Sequence, residues 1–327
     1  MSSTPIPSGI GRPVRAVFFG SGPFAVPILD AVADSPLLEI VAVVTPPDRP
    51  AGRHGTPVPV PVARRAAERL LPVIHVERVR SPGALATIAA TDPAIGILAD
   101  FGQIIPPAIL ELPRFGILNV HPSALPRHRG ATPIPATILA GDAEAGVSVM
   151  QMDAGLDTGP VLACRTWPLN GTEDAPAIEV TAAREGARLL VEVLEDVLAG
   201  RASAVVQDSA RVTLTRPLVR SDGALDPAAG AAALERRVRA LRPWPGTYLE
   251  VGGQRLGVLE AALSAGGPDD QAGHLLADDD GIAIGTASGR LRLLVVQPAG
   301  GRPMSGPEFR RGHATLVGQP LNSEAVR

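Results

Sequence analysis

Lysine is missing from the 327 residues: all 30 basic side chains are arginine. A lysine nucleophile or Schiff base is therefore excluded, and every positive charge is a guanidinium that cannot serve as a titratable base. Cys164 is the lone cysteine, which excludes an internal disulfide and a multi-cysteine metal site. No stretch reaches the ~18 apolar residues of a membrane span, and the opening segment MSSTPIPSGIGRPVR has no apolar run of signal-peptide length. A cytoplasmic protein that meets no membrane is expected. The net charge of -3 is too small to name a partner.

From Val14 onward, short apolar runs (VRAVFF, LEIVAVVT, PVIHV, AIGILAD, ILNVH) alternate with helical patterns such as FAVPILDAVADS and PVARRAAERL. Strands that alternate with helices and lack a polar face form a parallel sheet covered on both sides. The expected fold is a Rossmann-like α/β sheet, mostly parallel, with helices on both faces. An amphipathic helix bearing Leu189, Leu190, Val193, Leu194 and Val197 closes this first domain near Gly200. Residues 201–226 have no long periodic run and are expected to be a connector. Asp226 and Pro227 are placed to start a helix. The chain beyond Gly246 changes to short runs cut by turn residues, with Gly252 and Gly253 as a hairpin signal. A small all-β, OB-like barrel domain is expected over 227–327.

GSGPFA, residues 20–25, follows the first strand and fits the G-x-G-x-x-A form of a dinucleotide fingerprint. The second strand ends on Val44 and Thr45 instead of an acid that would hold a ribose, so a tight β-to-α turn is the better reading and nicotinamide is not expected. In GILNVHPSALP, Asn119 and His121 alternate onto one side of a strand whose carboxyl end is where open α/β sheets bind ligands. Alone, the pair also fits a capped strand end. MQMDAGLDTGPVL adds Asp153 and Asp157, although an Asp in such a loop commonly makes an Asx turn. An amide, an imidazole and a carboxylate together suit acyl transfer: the amide donates to an oxyanion, the carboxylate holds the imidazole and favours its charged form, and the imidazole moves a proton. No Ser or Cys nucleophile is needed if the substrate supplies an amine.

NVHPSALP, GLDTGP and TPPDRPAGR, in that family's order and spacing, resemble the methionyl-tRNA formyltransferases within the wider folate-dependent formyltransferases. The similarity runs from about Val14 to Leu321. It implies formyl transfer from 10-formyltetrahydrofolate, the co-substrate, to the α-amino group of methionine on initiator tRNA, by a monomer with no metal. Position by position, Asn119, His121 and Asp157 fall on the family's catalytic trio. Asp100–Pro106 falls on the folate-lining segment, implying contact by Phe101, Gly102, Gln103, Ile104, Ile105 and Pro106, largely through backbone, with Ser123, Leu125 and Pro126 alongside. The loop holding Asp48, Arg49, Arg53 and His54 falls on the segment that enters the tRNA acceptor stem. Arg216, Arg236 and Arg237 are the other implied tRNA contacts.

The chain departs from the family's pattern at several positions. Ala124 replaces a Leu, and Asp100 and Phe101 replace Ala and Tyr, which implies an extra charge at the folate pocket. Two lysines after Arg53 are absent, and Arg216 stands in LTRPL where a Lys is common. Residues 211–242 carry seven arginines against three carboxylates, a local excess that suits nucleic acid. Three other readings fit parts of the sequence. One is a formyltransferase acting on another amine, such as an amino-sugar nucleotide or glycinamide ribonucleotide. The others are a nicotinamide dehydrogenase built on GSGPFA and a non-catalytic RNA-binding module.

Overall fold

The computed structural model describes residues 12–51, 56–266 and 271–321. They form two compact units. The first takes the chain up to residue 133, then 144–168 and 179–215; the second takes 134–143, 169–178 and the chain from 216. In the first unit lie β1 (Val14–Gly20), α1 (Ala25–Asp34), β2 (Leu38–Thr45), β3 (Arg49–Ala51), β4 (Thr56–Val58), α2 (Pro61–Glu68), β5 (Val73–His75), α3 (Pro82–Ala89), β6 (Ile95–Ala99), α4 (Pro107–Leu110), β7 (Ile117–His121) and β8 (Arg129–Gly130). Next come α5 (Pro133–Ala140), β9 (Glu144–Gln151), β10 (Val161–Pro168), α6 (Ala175–Leu198) and β11 (Leu214–Thr215). All of α5 but Pro133, and the first four residues of α6, belong to the second unit.

Seven strands form one sheet in the order β10-β9-β7-β6-β1-β2-β5. The five from β7 to β5 are parallel, and β9 and β10 are antiparallel additions. The expected mostly parallel sheet is therefore present. Its strands are apolar because both faces are covered: every residue of β6 is buried. Ala16 and Phe18 enter a core with α1, α2 and α6, while Val17 and Phe19 enter the opposite core with α3 and α4. Asn119 and His121 share parity with Ile117, which packs in the α3 and α4 core.

The chain runs outward from β1 through β2 to β5, then returns to β6 on the other side of β1. That reversal opens a crevice at the carboxyl ends of β1 and β6, the usual ligand position in such sheets. The GSG turn closes here onto Asp100: the Ser21 amide and hydroxyl donate to the Asp100 carbonyl at 2.9 and 2.6 Å. A Cβ on Gly22 would lie 1.8 Å from Asp100 Oδ2, so only glycine leaves room for that carboxyl. A carboxyl lying against the turn is a poor seat for a pyrophosphate, which agrees with reading GSGPFA as a tight turn.

The second unit contains α7 (Ala231–Ala240), β12 (Thr247–Val251), β13 (Gln254–Ser264), β14 (Leu275–Asp278), β15 (Gly281–Gly285), β16 (Arg290–Pro298), β17 (Met304–Ser305) and α8 (Gly306–Gly312). Its antiparallel sheet runs β12-β13-β16-β15-β14, with β17 on β16. Pro320 and Leu321 bridge to His274 beside β14 and to Val251 at the end of β12, so the chain's return ties the two edges into a half-barrel. Gly252 and Gly253 both have positive φ, as the hairpin signal requires. One expectation is corrected. Asp226 does not cap a helix; it accepts from the Ala228 amide in a separate turn, and α7 begins five residues later, after Gly230. Among the described residues no helix is long and apolar enough to cross a membrane.

Asp100 keeps access to solvent, yet protein crowds its carboxyl and desolvation raises it above the usual carboxylate range. A raised folded-state value means stability that is complete below the unfolded value and lost as pH rises through the folded one. Asp100→Asn is expected to raise the melting temperature at pH 8 and leave it unchanged near pH 3, as scanning calorimetry at the two values would show.

Candidate active site

Asn119 and His121 lie at the end of β7, each residue 5% exposed. Pro122 then turns the chain, and Ser123 secures the turn: its hydroxyl donates to the Arg127 carbonyl at 2.6 Å, and its own carbonyl accepts from Ser148 Oγ at 2.8 Å. This turn brings His128 back onto the ring, where His121 Nε2 meets the His128 carbonyl at 3.0 Å. A carbonyl can only accept, so Nε2 carries a proton. Nδ1 faces Asp157 Oδ2 at 3.6 Å, beyond hydrogen-bond length. It is therefore the ring nitrogen left to take up or release a proton.

Asp157 comes from the β9–β10 loop in a left-handed conformation, φ 52°. Its Oδ1 accepts from Asn119 Nδ2 at 3.3 Å and its Oδ2 from the Gly130 amide at 2.7 Å. Asp153, the other acid of this loop, makes the Asx turn, accepting from the Gly155 amide and the Thr158 hydroxyl at 3.0 and 2.6 Å. Asn119, His121 and Asp157 are thus brought together, and Asp153 is not part of that set. One N–H of Asn119 is spent on Asp157, and the amide has a second to offer.

The segment 100–106 anchors by alternate side chains. Phe101 and Ile105 are buried, Phe101 edge-on to Phe19 with ring centroids 5.5 Å apart, and Gln103 Oε1 accepts from the Val79 amide at 2.8 Å. Gly102 has φ 73° and Ile104 is 83% exposed, which leaves backbone and one apolar side chain to face a ligand. Pro106 is half-buried, and Leu125 and Pro126 are buried in the turn after His121. Glu179 of α6 lies near Asp100; burial and the Asp100 charge push its carboxyl upward.

Of the other sequence candidates, Asp48 is exposed after β2, Arg49 lies in β3, and Arg53 and His54 fall outside the described residues. In the second unit Arg216 grips Asp222 through two N–H groups, at 2.8 and 2.5 Å, and that pairing holds the Asp222 carboxyl down at about 2. Arg237 donates to the Asp222 carbonyl. Arg236 lies over Gly141, and its Nε, like that of Arg237, is buried without a hydrogen-bond partner. Among the described residues no group of three His, Cys, Asp or Glu is placed to hold a metal ion.

The sequence reading missed Gln207. Its Nε2 donates to the carbonyls of Asp157 and Gly159 at 2.9 and 2.7 Å, and its Oε1 accepts from Arg129 Nε and Nη2 at 3.0 and 2.8 Å. No sequence signal marked it, because it stands in an aperiodic stretch 50 residues from its partner.

A doubly covered sheet followed by a half-barrel unit has counterparts among known proteins. The formyl transferase family model matches residues 14–194, and the formyl transferase C-terminal domain model matches 217–314. The chain belongs to the formyl transferase family and is an enzyme of that class. It is similar over nearly its whole length to proteins named methionyl-tRNA formyltransferase. That of Halorhodospira halophila is 43% identical over 308 residues, 94% of this chain and 99% of the relative. That of Thermus thermophilus is 39% identical over 311 residues, 94% and 99%. In fold the chain is similar to the N-formyltransferase of Helicobacter canadensis, solved with folinic acid and dTDP-3-aminofucose, with TM-score 0.63 at 15% identity over 86% of this chain and 98% of that one. The methionyl-tRNA formyltransferase of Clostridium thermocellum gives TM-score 0.51 at 15% identity over 77% and 94%.

A Cβ on Gly159 would lie 1.8 Å from the Gln151 carbonyl oxygen, a backbone atom that cannot swing aside. Gly159→Ala is expected to move the Asp157 loop, costing roughly 1–3 kcal/mol of stability and at least about tenfold in turnover. Urea unfolding and steady-state kinetics check the two effects.

Proposed function

We propose that this enzyme transfers the formyl group of 10-formyltetrahydrofolate to the α-amino group of methionyl-initiator tRNA. The observation that carries the chemistry is the convergence of Asn119 and His121 on Asp157 at the ligand edge of the sheet. The methionyl-tRNA formyltransferase name borne by relatives that match nearly end to end supports the choice of amine.

The neutral amine attacks the formyl carbon. The second N–H of Asn119 donates to the oxyanion that develops there, and the imidazolium of His121 supplies positive charge beside it. Asp157 faces His121 Nδ1, so the ring holds its second proton where exchange with the attacking amine and the leaving folate nitrogen can occur. The carbon–nitrogen bond to folate then breaks, and the amine's proton ends on that nitrogen. The folate lies along 100–106, on backbone and on Ile104, with Ser123, Leu125 and Pro126 shaping the wall beside His121. Asp48, Arg49, Arg53, His54, Arg216, Arg236 and Arg237 contact the tRNA. In this reading residues 1–200 carry the chemistry, 201–226 connect, and 227–327 bind tRNA, in a cytoplasmic monomer.

His121→Ala should lower single-turnover formylation by about 10²–10⁴, and Asn119→Ala by about 10²–10³. The assay uses labelled formyl-folate with charged initiator tRNA, charged elongator tRNA and an amino-sugar nucleotide in parallel. Wild-type transfer to the sugar amine in preference to methionyl-tRNA would sink the reading of the acceptor. Retention of activity within a few-fold in both variants would sink the reading of the site.

A further inference from the structure

Gln207 uses its whole hydrogen-bonding capacity at one place. Both N–H groups go to carbonyls of the Asp157 loop, and Oε1 accepts two N–H groups of one guanidinium. The assignment of O and N is fixed by the partners, since carbonyls only accept and a guanidinium only donates. The bonds close a circuit. From the Asp157 carbonyl the path runs through the Gln207 amide to Arg129, one residue along the backbone to Gly130, and from the Gly130 amide back to Asp157 Oδ2 at 2.7 Å. The segment around Gln207 is itself pinned. Val205 bridges Val161 at the start of β10, and Thr213 accepts from the amides of His128 and Arg129 through its hydroxyl and carbonyl. β11 then pairs with β8, Leu214 against Arg129 and Thr215 against Gly130.

We infer that Gln207 is a positioning residue for the reaction: it fixes the direction of the Asp157 carboxylate toward Asn119 and His121. An Asp in a left-handed conformation has its side-chain direction set by the backbone on either side. Here the backbone on its carboxyl side is held, since one amide takes the carbonyls of Asp157 itself and of Gly159. Without that amide the loop loses the tie that keeps Oδ2 between Gly130 N and His121 Nδ1. Gln207 touches none of the three reacting side chains; it acts through the backbone of Asp157. The Asp157 carboxylate faces His121 Nδ1 and the His128 carbonyl meets Nε2, so loosening Asp157 changes what Nδ1 faces while the other end of the ring stays held.

This role rests on the proposed formyl transfer only for its kinetic readout, so two measurements are paired. In the first, formylation by Gln207→Ala and by Gln207→Glu should fall in kcat by about 10- to 100-fold, with KM for both substrates within about threefold. The Glu variant keeps the pairing with Arg129 but turns an oxygen onto two carbonyls, so it should not rescue. In an Asp157→Asn background, Gln207→Ala should cost no more than about twofold, because the carboxylate it positions is already gone. In the second, the Gly130 amide, which donates to Asp157 Oδ2, should exchange its hydrogen with solvent at least about tenfold faster in Gln207→Ala than in the wild type, as NMR without substrate would show. Equal losses in the wild-type and Asp157→Asn backgrounds, full rescue by Gln207→Glu, or unchanged Gly130 exchange in a folded Gln207→Ala protein would each overturn the positioning role. If Gln207→Ala does not fold, the Glu variant, which retains the pairing with Arg129, decides by the same exchange measurement. Faster Gly130 exchange in a protein that formylates no methionyl-tRNA would uphold the positioning role and reject the substrate reading instead.

Discussion

The Asp157 carboxylate is the group on which the site depends. It is largely enclosed, with 13% of its side chain exposed, and it accepts from the Asn119 amide and the Gly130 N–H, with Nδ1 of His121 facing it at 3.6 Å. A carboxylate in such a place is costly unless its oxygens are satisfied, and each donor that satisfies it is fixed in direction by doing so. The interactions that make the charge tolerable therefore aim the Asn119 amide. The imidazole is aimed from its other end, since the His128 carbonyl takes the Nε2 proton. Nδ1 is thereby turned toward Asp157.

The sheet supplies the precision that loops alone lack. Asn119 and His121 sit at the end of a central strand whose register with β6 and β9 is fixed by buried apolar residues on both faces, and a one-residue slip would turn both side chains away from the crevice. Beside them, the segment after β6 puts Phe101 and Ile105 into the core and leaves Gly102 and Ile104 outside. A surface of backbone held in place by alternate buried side chains offers a ligand shape and main-chain hydrogen bonds. In the proposed reading such a surface tolerates changes of side chain, so Asp100 and Phe101 can stand in it.

Much of the fold could be read from periodicity, because covered parallel strands have to be apolar and the helices between them have to be amphipathic. Asn119 and His121 were readable for the same reason: two polar groups at the end of an apolar strand face one way. Choosing Asp157 over Asp153 was different. The two acids lie in one short loop, and only the resemblance to known enzymes singled out Asp157; the structure adds the reason, that Asp153 is consumed by local turn bonds while Asp157 is rotated inward by its left-handed backbone. The start of α7 was misplaced because Asp-Pro is a strong helix signal and the Gly230 break lies only three residues further on. Gln207 carried no signal at all. A neutral amide in an aperiodic stretch reads as solvated chain, and its meaning comes from partners 48, 50 and 78 residues away. The placing of the Asp100 carboxyl in the space beside Gly22 likewise arises only when two strand ends meet.

The missing lysines acquire a local meaning at Arg129. Nε and Nη2 of the Arg129 guanidinium both donate to Gln207 Oε1, at 3.0 and 2.8 Å. The two donors are fixed in one plane and converge on one oxygen, so they fix where that end of the amide sits. An ammonium, a point charge with rotating donors, would supply the attraction with a less defined direction. Since the amide's nitrogen holds the two carbonyls of the Asp157 loop, displacement at Arg129 would be passed to that loop. A chain restricted to arginine therefore gives up lysine's titratable chemistry, which the proposed transfer does not call for. It retains the geometric restraint through which, in the role inferred for Gln207, the Asp157 loop is held against Asn119 and His121.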